Sequence, residues 1–138
     1  MNDLEQRLYT KGLENLYGSV LLGEERALNY IENMVYLTRE FTASAASRRP
    51  LEEEVLFIRS FCAVCWPDVQ INVQLEGDMS GCQMIRKSLS GPVCRDFLDF
   101  ERHGRIPGLL VLWQEEGHIH YRLEGNGRTW THGVIHDE

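Results

Sequence analysis

The sequence predicts an α+β protein in which an N-terminal antiparallel helical hairpin is followed by a small helix-on-sheet sandwich. Three observations indicate this class. Apolar residues recur at helical spacing in the first third of the chain, a strictly alternating run lies at 69–75, and strand-like runs joined by glycine-containing turns follow residue 108. With 138 residues, of which 43% are hydrophobic, the chain is long enough to bury its own core.

The first two helices are predicted over 3–22 and 24–42. Each carries an apolar stripe at helical spacing, and the link between them is so short that they should fold back on each other. Two amphipathic helices cannot enclose a core by themselves, and a second copy completing a four-helix bundle is the simplest partner. We therefore expect a homodimer. The residues expected at its interface are Leu13, Leu16, Tyr17, Val20, Ile31 and Met34.

The elements after residue 42 are predicted from proline positions, turn residues and the alternation of apolar and polar residues. A small, polar linker or fraying helix end covers 42–49, and Pro50 then begins a third helix that ends at Pro67. Its expected buried face consists of Leu51, Val55, Ile58, Cys62 and Cys65. The remaining predicted elements are a strand at 69–75, a mostly helical segment at 83–102 with a break at Gly91-Pro92, and strands at 109–114, 118–124 and 128–135.

The charge of the chain restricts its partners. The formal net charge is −7, and an acidic surface repels phosphate backbones, so we expect no nucleic-acid partner. No apolar run approaches the roughly 20 residues needed to span a bilayer. The first residues have neither the basic region nor the apolar core of a signal peptide. We therefore expect a cytoplasmic location and no membrane segment in this chain.

Several short phrases occur in a specific order along the predicted elements. Leu13-Glu14-Asn15 lies on the first helix, Tyr30–Met34 lies on the second, and Arg49–Ile58 begins the third. Pro92–Leu98 and Leu123–Gly127 follow in the last half of the chain. Together they resemble the dimerisation hairpin and the ATP-binding region of bacterial sensor histidine kinases of the LytS/YesM type. The resemblance covers residues 8–127.

This resemblance implies a dimerisation hairpin at 1–48 and a truncated, ATPase-like lobe at 49–138. By position, Lys11 stands where the family has its phosphoacceptor histidine, and Asp96 stands where it has a metal-holding asparagine. Arg95 replaces the preceding glutamate. Gly125 replaces the aspartate that reads adenine, and it is followed by Asn126 and Gly127, which match the family.

The departures from the family pattern remove its chemistry. A protonated lysine cannot form the phosphoimidazole, and none of the five histidines lies on either hairpin helix. Gly125 has no side chain to bind adenine, and the 11 residues after Gly127 are too few for the family's lid. Asp96 retains an oxygen ligand for Mg²⁺, whereas Arg95 reverses a charge. We therefore expect no catalytic residue, no bound cofactor and no metal.

The expected function is that of a pseudokinase in two-component signal transduction. Such a module would act by dimerising, or by binding a histidine kinase or a response regulator. The alternative is a catalytically competent histidine kinase or phosphotransfer fragment, with ATP and Mg²⁺ as its cofactors. A third reading is a small metal-binding protein.

The cysteines favour a structural role. Cys62 and Cys65 form a CxxC at the C-terminal end of a helix and on its apolar stripe, whereas redox pairs are activated at helix N-termini. Cys82 and Cys94 do not form the second short knuckle that structural zinc prefers. We expect reduced, buried thiols, with a redox pair or a zinc site as the alternatives.

The other polar clusters also have plain structural interpretations. His118 and His120 alternate on one strand, so they should share a solvated face, with metal binding as the alternative. Asp96, Asp99 and Glu101 are expected to be solvated helix charges. The segment 125–127 is expected to be a hairpin turn rather than a phosphate cradle, since no helix begins after it.

Overall fold

A computed structural model of the chain describes residues 3–21, 23–43 and 47–136, without the side chains of Tyr17 and Ser19. The fold is α+β, as the sequence predicted. The helices are α1 (Asp3–Leu21), α2 (Glu24–Thr42), α3 (Leu51–Cys65) and α4 (Ser90–Arg102). The strands are β1 (Arg48–Pro50), β2 (Asn72–Glu76), β3 (Gln83–Ile85), β4 (Leu109–Glu115), β5 (His118–Gly125) and β6 (Arg128–Ile135). None of the described helices combines the length and apolarity needed to cross a membrane.

The predicted helical hairpin is present as α1 and α2. The two helices approach closely at Gly12, where an added Cβ would lie 3.2 Å from the Met34 thioether and the Tyr30 hydroxyl. That hydroxyl donates a hydrogen bond to the Gly12 carbonyl. Gly12 weakens an isolated helix, and its lack of a side chain is what lets Met34 and Tyr30 of α2 pack against α1.

The helix α3 is the centre of the core. The sequence predicted one buried face. The buried face of α3 is wider than predicted, because the hairpin covers one flank and α4 the other, although Val55 is only half-buried. Phe57 stacks on Phe61 at 6.4 Å between ring centroids, and an aromatic chain continues from Phe61 through Trp66 to Phe97 of α4. Buried residues from before and after residue 48 belong to one hydrophobic cluster. The division into two domains at that residue stays a prediction.

The four-stranded sheet has the order β2-β4-β5-β6. The strand β2 runs parallel to β4, while β4, β5 and β6 form an antiparallel meander. The two connections of the meander lie at the glycine-containing turns that the sequence predicted. Each is a two-residue turn, and the residues of Glu116-Gly117 and Asn126-Gly127 all have positive φ values between 54° and 80°. One face of the sheet joins the core that contains α3 and α4.

The prediction of a mostly helical segment over 83–102 is wrong in its first part. β3 occupies Gln83–Ile85 and pairs antiparallel with β1. The first two residues of β1 belong to the segment that was predicted to be a polar linker or helix end. Helix α4 begins only at Ser90, after Lys87 adopts a left-handed φ of 69°. Pro92 lies in the first turn of α4, where its missing N–H leaves no bond unmade.

The predicted strand at 69–75 is shorter and displaced. β2 covers Asn72–Glu76, because the chain still turns after α3, with the Val69 amide bonded to the Trp66 carbonyl at 3.0 Å. Most of β2 is exposed, since it is one of the two edge strands of the sheet. Residues 44–46 of the predicted linker lie outside the described ranges.

Candidate functional site

The outward face of the hairpin is apolar and open. Leu13 is 73% exposed, Val20 58% and Ile31 46%, although the sequence places all three on apolar stripes. Helix α1 therefore carries two stripes, because Leu4 and Leu8 are the residues that point into the core. The large apolar residues exposed on the hairpin are Leu13, Leu16, Val20, Leu21, Leu28, Ile31 and Val35.

A groove of about 580 Å³ runs between α1 and α2 on this face. Met34 lies at its floor and is half-buried, because its thioether packs over Gly12. Four of the six residues predicted for a dimer interface line the groove, namely Leu13, Leu16, Ile31 and Met34. Val20 is exposed on α1. The side chain of Tyr17 lies outside the described residues. We call this surface, from Leu13 to Val20 on α1 and from Leu28 to Val35 on α2, the hairpin face.

Lys11 lies on the other side of α1, facing α4. Its ammonium nitrogen is 2.7 Å from a carboxylate oxygen of Glu101. The same oxygen accepts the indole N–H of Trp66. The residue at the predicted phosphoacceptor position therefore ties α1 to α4 and borders a polar cleft of about 580 Å³ between these helices.

Asp96 faces the sheet rather than solvent. Its carboxylate accepts a hydrogen bond of 2.6 Å from the Tyr121 hydroxyl of β5. Burial and the neighbouring charge of Asp99 raise the pKa of Asp96, and the hydrogen bond from Tyr121 lowers it only in part. Burial and the same carboxylate raise the pKa of Tyr121. Arg95, the adjacent position, is exposed on α4.

The turn at 125–127 connects β5 and β6. A side chain at Gly125 would overlap the indole ring of Trp130, whose N–H donates to the Gly125 carbonyl at 2.9 Å. Trp130 is held in turn by Phe100, at 5.1 Å between centroids, and by the guanidinium of Arg105 over its ring at 4.5 Å. The structure thus gives Asp96 and Gly125 separate partners, Tyr121 and Trp130.

A buried ionic network was not predicted from the sequence. Glu54 of α3 is fully buried and accepts the backbone amides of Leu89 and Ser90 at 3.0 and 2.9 Å, which satisfies the open N-terminus of α4. It also binds the guanidinium of Arg49, which binds Glu40 of α2 as well. The helical spacing from Leu51 through Glu54 to Ile58 was the available signal.

The charges of this network raise the pKa of the Arg49 guanidinium. Burial alone would lower the pKa of Arg49, but hydrogen bonds to Glu40 and Glu54 and their negative charges raise it above its usual value. Arg86 adds a second cation, 2.9 Å from Glu40. The network joins α2, β1, α3 and the start of α4 in one place.

Three of the four thiols are buried as the sequence predicted, whereas Cys82 is half-buried. Cys62, Cys65 and Cys94 lie in the core, and burial raises the pKa of Cys65 to about 12 and that of Cys62 well above its usual value. Neither sulfur has the low thiol pKa that a reactive pair requires. Within 3–21, 23–43 and 47–136, no group of three or more His, Cys, Asp or Glu side chains is placed to hold a metal ion.

The chain matches no protein-family model, no curated protein and no solved structure. Its similarity to kinases of the LytS/YesM type therefore stays a prediction from short sequence phrases.

Proposed function

We propose that the protein is a non-catalytic signalling module that acts by pairing its helical hairpin with a second copy of the chain. The hairpin face carries this proposal. Six large apolar side chains of this face are exposed on two adjacent helices, and contiguous apolar patches of this kind mark interaction surfaces. The resemblance to LytS/YesM-type kinases suggests a further partner, which would be a histidine kinase or a response regulator.

We favour a second copy as the partner, because an apolar face can be buried against its own copy. Two hairpins related by a twofold axis place the same apolar residues on both sides and form a four-helix bundle. Burying each large side chain contributes up to about 1.5–3 kcal/mol. Leu13, Val20 and Ile31 from two chains supply several such contributions, which is enough to offset the cost of association.

The non-catalytic half of the proposal is supported by the partners of the degenerate positions. Lys11 is engaged by Glu101, Asp96 is engaged by Tyr121, and Trp130 covers Gly125. Each residue that would have to receive phosphate, metal or adenine thus has a structural partner within the chain.

The dimer is tested by measuring the molar mass of the full chain with light scattering after size exclusion. We expect twice the 16.0 kDa of one chain for the wild type. Ile31→Asp should shift the protein towards the monomer, because a charge at the centre of the bundle would be desolvated without a partner. Leu56→Asp is the matched control, since Leu56 is 49% exposed but lies on α3.

The result that contradicts the dimer is a monomeric wild type at micromolar concentration. Equal effects of Ile31→Asp and Leu56→Asp would place the interface elsewhere. The competing phosphotransfer function is tested by incubation with radiolabelled ATP and Mg²⁺, alone and with receiver domains. We expect no acid-labile label on the chain, and its appearance would favour the catalytic alternative.

A further inference from the structure

The outer face of the sheet brings together two histidines that the sequence did not pair. His120 lies on β5 and His132 on β6, with 3.1 Å between Nδ1 of the first and Nε2 of the second. The register pairs Arg122 with His132 and His120 with Val134, so the histidines are diagonal neighbours on one face. His118, which the sequence grouped with His120, instead meets His136, at 5.0 Å between ring centroids.

Trp113 of β4 holds both rings in place. It lies directly opposite His120 in the strand register and stacks on it, at 5.3 Å between centroids and an interplanar angle of 20°. The His132 ring is also 5.3 Å from the indole, tilted by 35°. Because both imidazoles are packed before any ligand arrives, a ligand that needs both loses little side-chain freedom on binding.

The separation of the two nitrogens suits a shared metal ion. Imidazole nitrogens bind late first-row metals at about 2.0–2.1 Å, so two of them on one ion are about 2.8–3.4 Å apart, depending on its geometry. The observed 3.1 Å lies within that interval. Without metal, the same distance allows a hydrogen bond between the two rings. When a metal ion binds, the proton of the donor ring moves to the other nitrogen of that ring, so that both facing nitrogens offer a lone pair.

We propose that His120 and His132 form a two-histidine site for a late first-row divalent metal, with Cu²⁺ bound more tightly than Ni²⁺ or Zn²⁺. Imidazole suits these ions, and the order follows their general affinity for nitrogen ligands. Since no third His, Cys, Asp or Glu of the described residues completes the set, water or a group from another molecule takes the remaining positions. The site does not depend on the proposed hairpin dimer.

The test is a titration of the untagged full chain with Cu²⁺, followed by tryptophan fluorescence and electron paramagnetic resonance. We expect one Cu²⁺ per chain, quenching of Trp113 and hyperfine coupling to two nitrogens. His132→Gln should weaken binding at least about tenfold, since even the loss of an outer-shell partner has that effect. Trp113→Phe should remove most of the quenching, because it removes the indole that lies against both rings.

His118→Gln is the matched control, because His118 lies two residues along the same strand face and should be dispensable. A loss in His118→Gln without one in His132→Gln would move the metal to the other histidine pair, and an equal loss in both would show that His120 and His132 are not the whole site; either result overturns the proposal. Wild-type binding no tighter than that of a His120→Gln, His132→Gln double variant would also overturn it. His132 is exposed, so circular dichroism should show that the variants keep the fold.

Discussion

At position 125, the indole of Trp130 occupies the volume that a side chain would need. We expect Gly125→Ala to destabilise the protein by about 1–3 kcal/mol, because Trp130 is fixed by Phe100 and Arg105 and has to move to accept a methyl group. Urea unfolding measures the change.

Gly108→Ala is the control for this prediction. An added Cβ at Gly108 has nothing within 4 Å, and the backbone there does not need a positive φ. Its free energy of unfolding should stay near that of the wild type. Equal stabilities of the Gly125→Ala and Gly108→Ala variants would mean that the indole does not enforce glycine at 125.

Gly125 and Glu54 show why individual contacts are hard to predict from the sequence. The absence of a side chain at Gly125 is visible in the sequence, but the tryptophan that enforces it lies five residues later, on the far side of a turn. Likewise, Glu54 has the same chemistry as Glu52 and Glu53, and only its position on the buried side of α3 distinguishes it. Such contacts depend on residues that become neighbours only in the folded structure, and a local sequence pattern does not identify them.

Among the elements, α3 and α4 depend on the carboxylate of Glu54. We expect Glu54→Gln to cost about 3 kcal/mol, because the amide cannot accept from both the α4 amides and Arg49, and the buried guanidinium keeps only Glu40 as an ionic partner. Denaturant unfolding checks the value.

The exposed neighbour gives the comparison for this variant. Glu53→Gln removes a carboxylate from the same turn of α3, where the side chain is solvated, so its stability should change by less than about 0.5 kcal/mol. If both variants lose the same stability, the buried network contributes nothing beyond surface charge.

Element prediction from sequence succeeded where the signal was local. The limits of α2 and the positions of both meander turns follow from helical spacing and from glycine-containing pairs such as Asn126-Gly127. It failed at Gln83–Ile85, because that short strand exists only through pairing with Arg48–Pro50, which was predicted as the end of a linker or fraying helix and the first residue of the third helix. It also missed that α3 is covered on two sides, since burial of a helix is set by what packs against it.

At the scale of the whole molecule, the hairpin and the rest of the chain share one core. Leu8 and Leu37 are fully buried in the same cluster as Phe57 and Leu112. We therefore expect a single unfolding transition. Far-ultraviolet circular dichroism, which reports the helices, should give the same midpoint as tryptophan fluorescence, which reports the part of the chain after residue 48. Two separate midpoints would show that the hairpin is an independent unit.

The parallel pairing of β2 with β4 sets an order of assembly. The meander from β4 to β6 is joined by two-residue turns, so it can form from contacts that are close along the chain. The pairing of β2 with β4 joins residues that are far apart in the chain, such as Asn72 and Leu109, with β3 and α4 between them. We therefore expect one edge of β4 to stay unpaired for part of the folding process, and this is where chains at high concentration would first associate wrongly during refolding.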